Sequence, residues 1–463
     1  GGAPNENVYY LDGIEIPNIN HFSTQGSAGG PVGLLNVSFF EGVTLSSSAF
    51  GAQYDNPLSG VLQFDQRNGN NRNFKGNFRL SSSESAFTFE GPLFKKENET
   101  SNTTFIASFR RSYLQLLFSV IDLPFLPDYW DYQFKVDHKI DEYNEILITG
   151  VGSIDDFSIN VPDDYDPEQQ ATLDQVPVIQ QRSNTVGISW TNRFKDGTGF
   201  IRTTLSNNFL ENEFRRYEDN VAETGLFFEN ISSEQETKLR FNHTKFKKDW
   251  TFTSTASFQA VGYDNETVDV VNNVNYNTSI NFAKYGLSYQ ASNSRILPRL
   301  GISVGARIDG NSFTAKGNEI WRTFSPRISA SYRLDDQERW TINGSVGRYF
   351  KIPPYTILGF QDLNGNFDNQ DAEYIESDHF VLGIEHLLTE SSRVSVEGFY
   401  KKYRNYPVSV VDSVSLANLG GDFSVLGNED IESVGLGRTY GVEFLYQKKF
   451  TNNYYAILAY TLF

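Results

Sequence analysis

The sequence predicts an all-β fold: a transmembrane antiparallel β-barrel preceded by a small N-terminal unit. Three observations predict it. Phe (38), Tyr (25) and Gly (37) are abundant, a composition suited to strands and turns rather than helices. From residue 74 onward, roughly sixteen segments of about ten residues alternate apolar and polar side chains, the period of a strand. No run approaches the roughly 20 apolar residues of a membrane-spanning helix. The longest apolar stretch, YLQLLFSVIDLPFLP, is broken by Gln115, Asp122 and two prolines.

In chain order, the first element is VYYLDGIEIPN (8–18). Asp-Gly between apolar β-formers predicts a hairpin, because Gly accepts φ > 0 and Asp tolerates it. Leu11, Asp12 and Gly13 are therefore read as a structural turn. A Gly-rich connection (24–33), a strand NVSFFEGVTL (36–45), a turn SSSAFGAQYDNPLSG (46–60) and VLQFDQRNGN (61–70) follow. None of these has the later regularity, so residues 1–73 are expected to form a separate unit and 74–463 the barrel.

Within the barrel region, GISVGARID places Ile302, Val304, Ala306 and Ile308 on one face and Ser303, Gly305, Arg307 and Asp309 on the other. RISASYRL and WTFTSTASFQA repeat the dyad. A soluble sandwich and a lipid-facing barrel both produce this pattern, and strand length separates them. Globular strands usually run about 5–6 residues, whereas crossing a tilted bilayer takes about 9–11; the predicted strands 249–261 and 298–309 have the longer form. Tyr349-Phe350, Phe399-Tyr400, Tyr454-Tyr455, Trp321 and Trp340 fall near strand ends, where an interfacial aromatic girdle is expected. Short turns (194–200, 334–340) alternate with long acidic loops (155–177, 359–378), which predicts periplasmic turns and external loops.

The net charge of −18 and the lack of any basic patch argue against nucleic-acid binding. Cysteine is absent, which excludes disulfides and thiolate chemistry. Methionine is absent even at position 1, which leads us to expect a partial chain. The Gly-rich GSAGGPVG lacks the Lys-Ser/Thr of a phosphate cradle, and DLNGNFD (362–368) has Glu373 out of register for a calcium loop. The five His (21, 138, 243, 379, 386) form no zinc pair or nucleophile triad. We therefore expect no catalytic residue, no metal, no cofactor and no enzymatic activity.

YYLDGIEI, together with NVSFFEGVTLSSSAFGAQYDNPLSGVLQFDQR, resembles the second half of the plug of a TonB-dependent outer-membrane transporter. GARIDG (305–310), FSPRISASY (324–332) and VGRYFKIPPY (346–355) resemble barrel signatures of that family, in the same order, in wording similar to Bacteroidetes versions. Asp55, Asn56, Ser59 and Gly60 sit where the family's plug stretch makes its last turn. The resemblance implies a 22-stranded barrel of which about sixteen strands are visible, with the N-terminal part of the plug and the last barrel strands missing. It implies active transport of a scarce nutrient (siderophore, haem, oligosaccharide or peptide), powered through the TonB–ExbB–ExbD complex. Outer-membrane lipids, and a surface lipoprotein or larger outer-membrane assembly, are the other implied partners. The alternative is a TonB-receptor-like barrel acting as a structural subunit of such an assembly. Ligand-facing residues are expected at the plug apex: Asn18, Asn20, His21 and Phe22 after the hairpin, and Phe50, Gln53, Tyr54, Asp55 and Asn56 in the later turn. Leu11, Asp12, Gly13, Ser59 and Gly60 are expected to be structural.

Overall fold

The computed structural model describes residues 2, 4–23, 29–30, 32–94, 99–120, 125–159, 177–418, 425, 427–451 and 453–463. Most of the expected loop 155–177 and much of the Gly-rich connection 24–33 lie outside these residues.

Six short strands come first: β1 (Asn7–Leu11), β2 (Ile14–Ile16), β3 (Asn20–His21), β4 (Val32–Gly33), β5 (Phe40–Ser46) and β6 (Gly60–Gln66). Four of them make a sheet in the order β2-β1-β6-β5, and β3 pairs with β4. β1 and β2 form a two-residue hairpin with Leu11 opposite Ile14. Asp12 (φ 51°) and Gly13 (φ 84°) are both left-handed, the type I′ geometry whose twist matches the strands it joins.

Seventeen strands then run in sequence order around a barrel. They are β7 (Lys75–Leu80), β8 (Glu84–Leu93), β9 (Thr103–Ser112), β10 (Phe125–Lys139), β11 (Asn144–Ile159) and β12 (Val178–Arg193), then β13 (Gly199–Asp219), β14 (Thr224–Lys247), β15 (Trp250–Asp269), β16 (Val274–Leu297), β17 (Leu300–Asn311) and β18 (Ser325–Arg333), and finally β19 (Trp340–Lys351), β20 (Ile375–Thr389), β21 (Ser392–Ser409), β22 (Ile431–Thr451) and β23 (Tyr454–Leu462). Each is antiparallel to its sequence neighbour, as in the ladders β9–β10 and β19–β20. β7 and β23 flank the seam. An odd number of alternating strands points these two the same way, so an antiparallel ladder cannot join them. Every residue of β7, and all but one of β23, is exposed.

Burial is inverted relative to a soluble protein. Phe258, Val304, Ile328 and Leu382 are exposed, while Gln259, Arg307, Arg327 and Lys401 on the opposite faces are buried. Only a wall with lipid outside and a filled polar lumen satisfies both faces. The N-terminal sheet and the loops that join its strands fill the lumen, and they bond to inward side chains of β9, β10, β11, β14, β17, β18 and β21.

β13 to β16 span 20–24 residues each, about twice what the bilayer needs. They project beyond the membrane on the side that carries the long connections 312–324, 352–374 and 410–430. The strand expected at 249–261 therefore continues to Asp269, and 298–309 becomes 300–311. Residues 155–159 and 375–378, expected in loops, extend β11 and β20.

The aromatic pairs need a correction. Tyr400, Trp321 and Trp340 are exposed, but Tyr349, Phe350 and Phe399 are buried. Consecutive strand residues point to opposite faces, so Phe399 and Tyr400 cannot both face lipid. Tyr349 instead stacks over Arg327 in the lumen.

Candidate functional site

Three buried polar contacts hold the N-terminal sheet to the barrel wall. At the hairpin, the Asp12 carboxylate accepts from Gln66 N at 2.9 Å and Gln66 Nε2 at 2.7 Å. Lys135 of β10 lies 3.4 Å away, and Gln66 extends the network to Gln133 and Thr149. Burial raises the Asp12 pKa despite Lys135. Ser59 and Gly60 sit at the other end of the sheet. Ser59 N donates to Glu6 O, and Lys401 Nζ donates to Ser59 O at 3.2 Å.

The second contact is His21, which is fully buried. Its Nδ1 lies 2.7 Å from Asp155 and its Nε2 3.2 Å from Asp131, and its ring stacks on Tyr129 at 3.9 Å. Burial alone would lower its pKa, but hydrogen bonds to the two carboxylates outweigh burial and raise it. Arg110 completes the cluster at 2.7 Å from Asp131. Phe22, left-handed at φ 55°, is buried among Tyr129, Phe157, Ile179 and Phe214.

The third is Asp55. Its carboxylate accepts from Arg240 at 2.7 Å and Lys238 at 2.8 Å, with Arg307 at 3.9 Å. Burial would raise its pKa, yet the three cations hold it well below the ordinary carboxylate range. Lys238 also pairs with Glu15, and Arg307 with Asp309. Arg240 has Tyr10 Oη at 2.9 Å and Gln53 O at 3.1 Å besides. Arg327 donates to the carbonyls of Gly51 (2.5 Å) and Tyr54 (3.3 Å). Phe50 is buried with its ring 5.0 Å from that of Tyr349.

Two cavities lie beyond the sheet. An inner one of about 160 Å³ has Glu15, Asn18 and Asn56 for its floor and Leu210, Glu234, Glu236, Lys284 and Lys351 in its wall. An outer vestibule of about 690 Å³ is formed by the tips of β13 to β16 and the connections after β19 and β21. Among the described residues it carries six carboxylates (Asp269, Asp362, Asp368, Asp412, Glu429, Asp430) against one guanidinium, Arg216, with Phe214, Phe227, Phe228 and Phe360 between them.

Of the residues predicted to face a ligand, Asn18 and Asn56 line the inner cavity. His21, Phe22, Phe50 and Asp55 are buried against the wall, Asn20 pairs with Gly33, and Tyr54 packs on Tyr10 at 5.3 Å. The sequence reading missed the wall side of these contacts. The signal was present in EQETKLR: residues 234, 236, 238 and 240 share one strand face and read Glu, Glu, Lys, Arg.

A family model described as TonB dependent receptor-like, beta-barrel matches residues 17–463. No curated protein matches the sequence. Among solved structures, a mutant of the ferric enterobactin receptor from Pseudomonas aeruginosa is similar at TM-score 0.69 and 13% identity, covering 99% of this chain and 72% of that one. The alcaligin outer-membrane receptor from Bordetella pertussis is similar at TM-score 0.65 and 13% identity (98% and 71% covered). The copper transporter OprC is similar at TM-score 0.68 and 10% identity (98% and 71% covered). At these identities the likeness is one of fold.

Proposed function

Because this chain belongs to the TonB-dependent receptor-like β-barrel family, an outer-membrane family of transporters rather than enzymes, we propose that it imports a scarce nutrient captured in the outer vestibule and passed over its plug, residues 1–73. Receptors of this family work with the TonB–ExbB–ExbD complex, and the proposal assigns this chain the same energy source. The observation that carries the reading is the Asp55 cluster. A lumen this wide leaks unless it is filled, and here a folded sheet fills it through buried ion pairs with the wall. Such a plug passes a solute only when work is done on it.

The vestibule narrows the solute class. Six carboxylates against one Arg216 focus a negative potential in a cleft, which concentrates cations and repels polyanions. We therefore expect a neutral or cationic cargo, from the range of siderophore, haem, oligosaccharide or peptide. The plug residues Asn18 and Asn56, which line the inner cavity, are its first contacts below the vestibule. The test is uptake of labelled members of each class by cells carrying the gene, with and without the TonB energy transducer. Uptake of one class that needs both supports import, and equal uptake without the transducer contradicts it.

A further inference from the structure

The connection after β19 folds inward, where a loop at the mouth of a water-filled barrel would be expected to fold outward. Its helical turn (Tyr355–Leu358) is entirely buried, and Ile352, Tyr355, Ile357 and Leu358 pack on Val261, Tyr263, Ile280 and Phe282 of the inner wall. Asn369 holds the turn from above, donating to Ile357 O at 2.8 Å and accepting from Ile431 N at 2.9 Å. The same connection lines both cavities: Ile352 to Tyr355 border the inner one and Phe360 to Leu363 the outer one.

We infer that this turn is an inner gate, with Tyr355 as its latch, separating the vestibule from a second solute compartment on the plug. The Tyr355 hydroxyl donates to Glu236 and accepts from Lys284, and these two wall residues are themselves 3.0 Å apart. Glu236 lies two residues from Lys238, on the same face of β14. Latch and plug lock are therefore adjacent rungs of one strand, about 7 Å apart.

The inner cavity, about 160 Å³, is much smaller than the vestibule, about 690 Å³. On this inference, a solute that fills the vestibule reaches Asn18 and Asn56 only when Tyr355 is unlatched. Among the described residues, the turn also leaves the Tyr263 and Thr356 hydroxyls buried without partners, a cost that opening removes. The compartment's mix of Glu15, Glu234 and Glu236 with Lys284 and Lys351 suits a polar, uncharged or zwitterionic part of a solute.

The absence of cysteine permits a test that reads access rather than uptake, so it stands independently of the import proposal. A single cysteine is placed in the inner cavity (Leu210→Cys) or in the vestibule (Asn428→Cys), and a membrane-impermeant maleimide is added to intact cells. In the parent background the vestibule site labels quickly and the inner site slowly. Adding Tyr355→Phe, which keeps the ring but removes the hydroxyl, speeds labelling at the inner site at least tenfold and leaves the vestibule site unchanged. Glu236→Gln, which removes the latch from the wall side, gives the same result and serves if Tyr355→Phe fails to fold. Fast labelling of the inner site in the parent, or no acceleration in either latch variant, overturns the gate.

Discussion

Replacing Asp55 by Asn tests the plug lock. The substitution preserves shape but removes a buried negative charge that meets Arg240 at 2.7 Å and Lys238 at 2.8 Å. Lys238 keeps Glu15 and Arg307 keeps Asp309, whereas Arg240 loses its only directly paired carboxylate among the described residues. Removing one member of a buried ion pair costs about 3–5 kcal/mol. Two of the three cations retain partners, so the low end applies, about 3 kcal/mol, or roughly 10²-fold in the equilibrium between docked and undocked plug. Hydrogen exchange at the β1–β6 ladder, where Val8 pairs with Val61 and Tyr10 with Gln63, reports that equilibrium. Asp55→Asn is expected to speed exchange there about 10²-fold, while the wall ladder β15–β16 is unaffected. A change below about threefold, under 1 kcal/mol, would show that this cluster does not secure the plug. Because the Asp55 pKa is depressed, its contribution is complete above the ordinary carboxylate value and disappears only as pH falls through the folded value. The lock is therefore expected to hold unchanged across neutral pH.

His21 behaves oppositely. Its pKa is raised, so its contribution is complete below the ordinary histidine value of about 6.5 and is lost as pH rises through the folded value. Protection factors at His21 and Phe22, with intrinsic base-catalysed exchange divided out, should fall on alkalinisation in the parent, where Asp131, Asp155 and Arg110 face the ring, and His21→Gln should abolish that fall. Gly13→Ala forces a Cβ onto a residue at φ 84°. It should lower the plug's opening free energy by about 1–2 kcal/mol, and an unchanged value would argue against the I′ turn. Leu382, exposed at the centre of β20, faces lipid. Leu382→Arg should destabilise the barrel in vesicles by about 2–4 kcal/mol in urea unfolding, and no shift would place that face in water.

How much of this was legible in the sequence differs by element. The barrel could be read because its requirement is local: in ARID and PRISASY the alternation itself says which side chains face lipid. The hairpin could be read because Asp-Gly is a local turn signal. Strand ends were less legible, since β13 to β16 continue past the bilayer as a bare hydrogen-bonded ladder and no composition change marks the membrane's edge. The lock and the gate involve partners far apart in sequence: Asp55 meets Lys238 and Arg307, and Tyr355 meets Glu236 and Lys284. The charged face of EQETKLR announced that something charged would meet it, but its partner could be identified only once the chain had closed around the plug.

On our proposal a folded plug fills this lumen and must be worked on before a solute passes. The measurement closest to it is uptake, into cells carrying the gene, of the solute that co-purifies with the protein, before and after the proton-motive force is collapsed. Surface binding is expected to persist while uptake stops. Uptake that continues unchanged after the collapse would contradict the proposal.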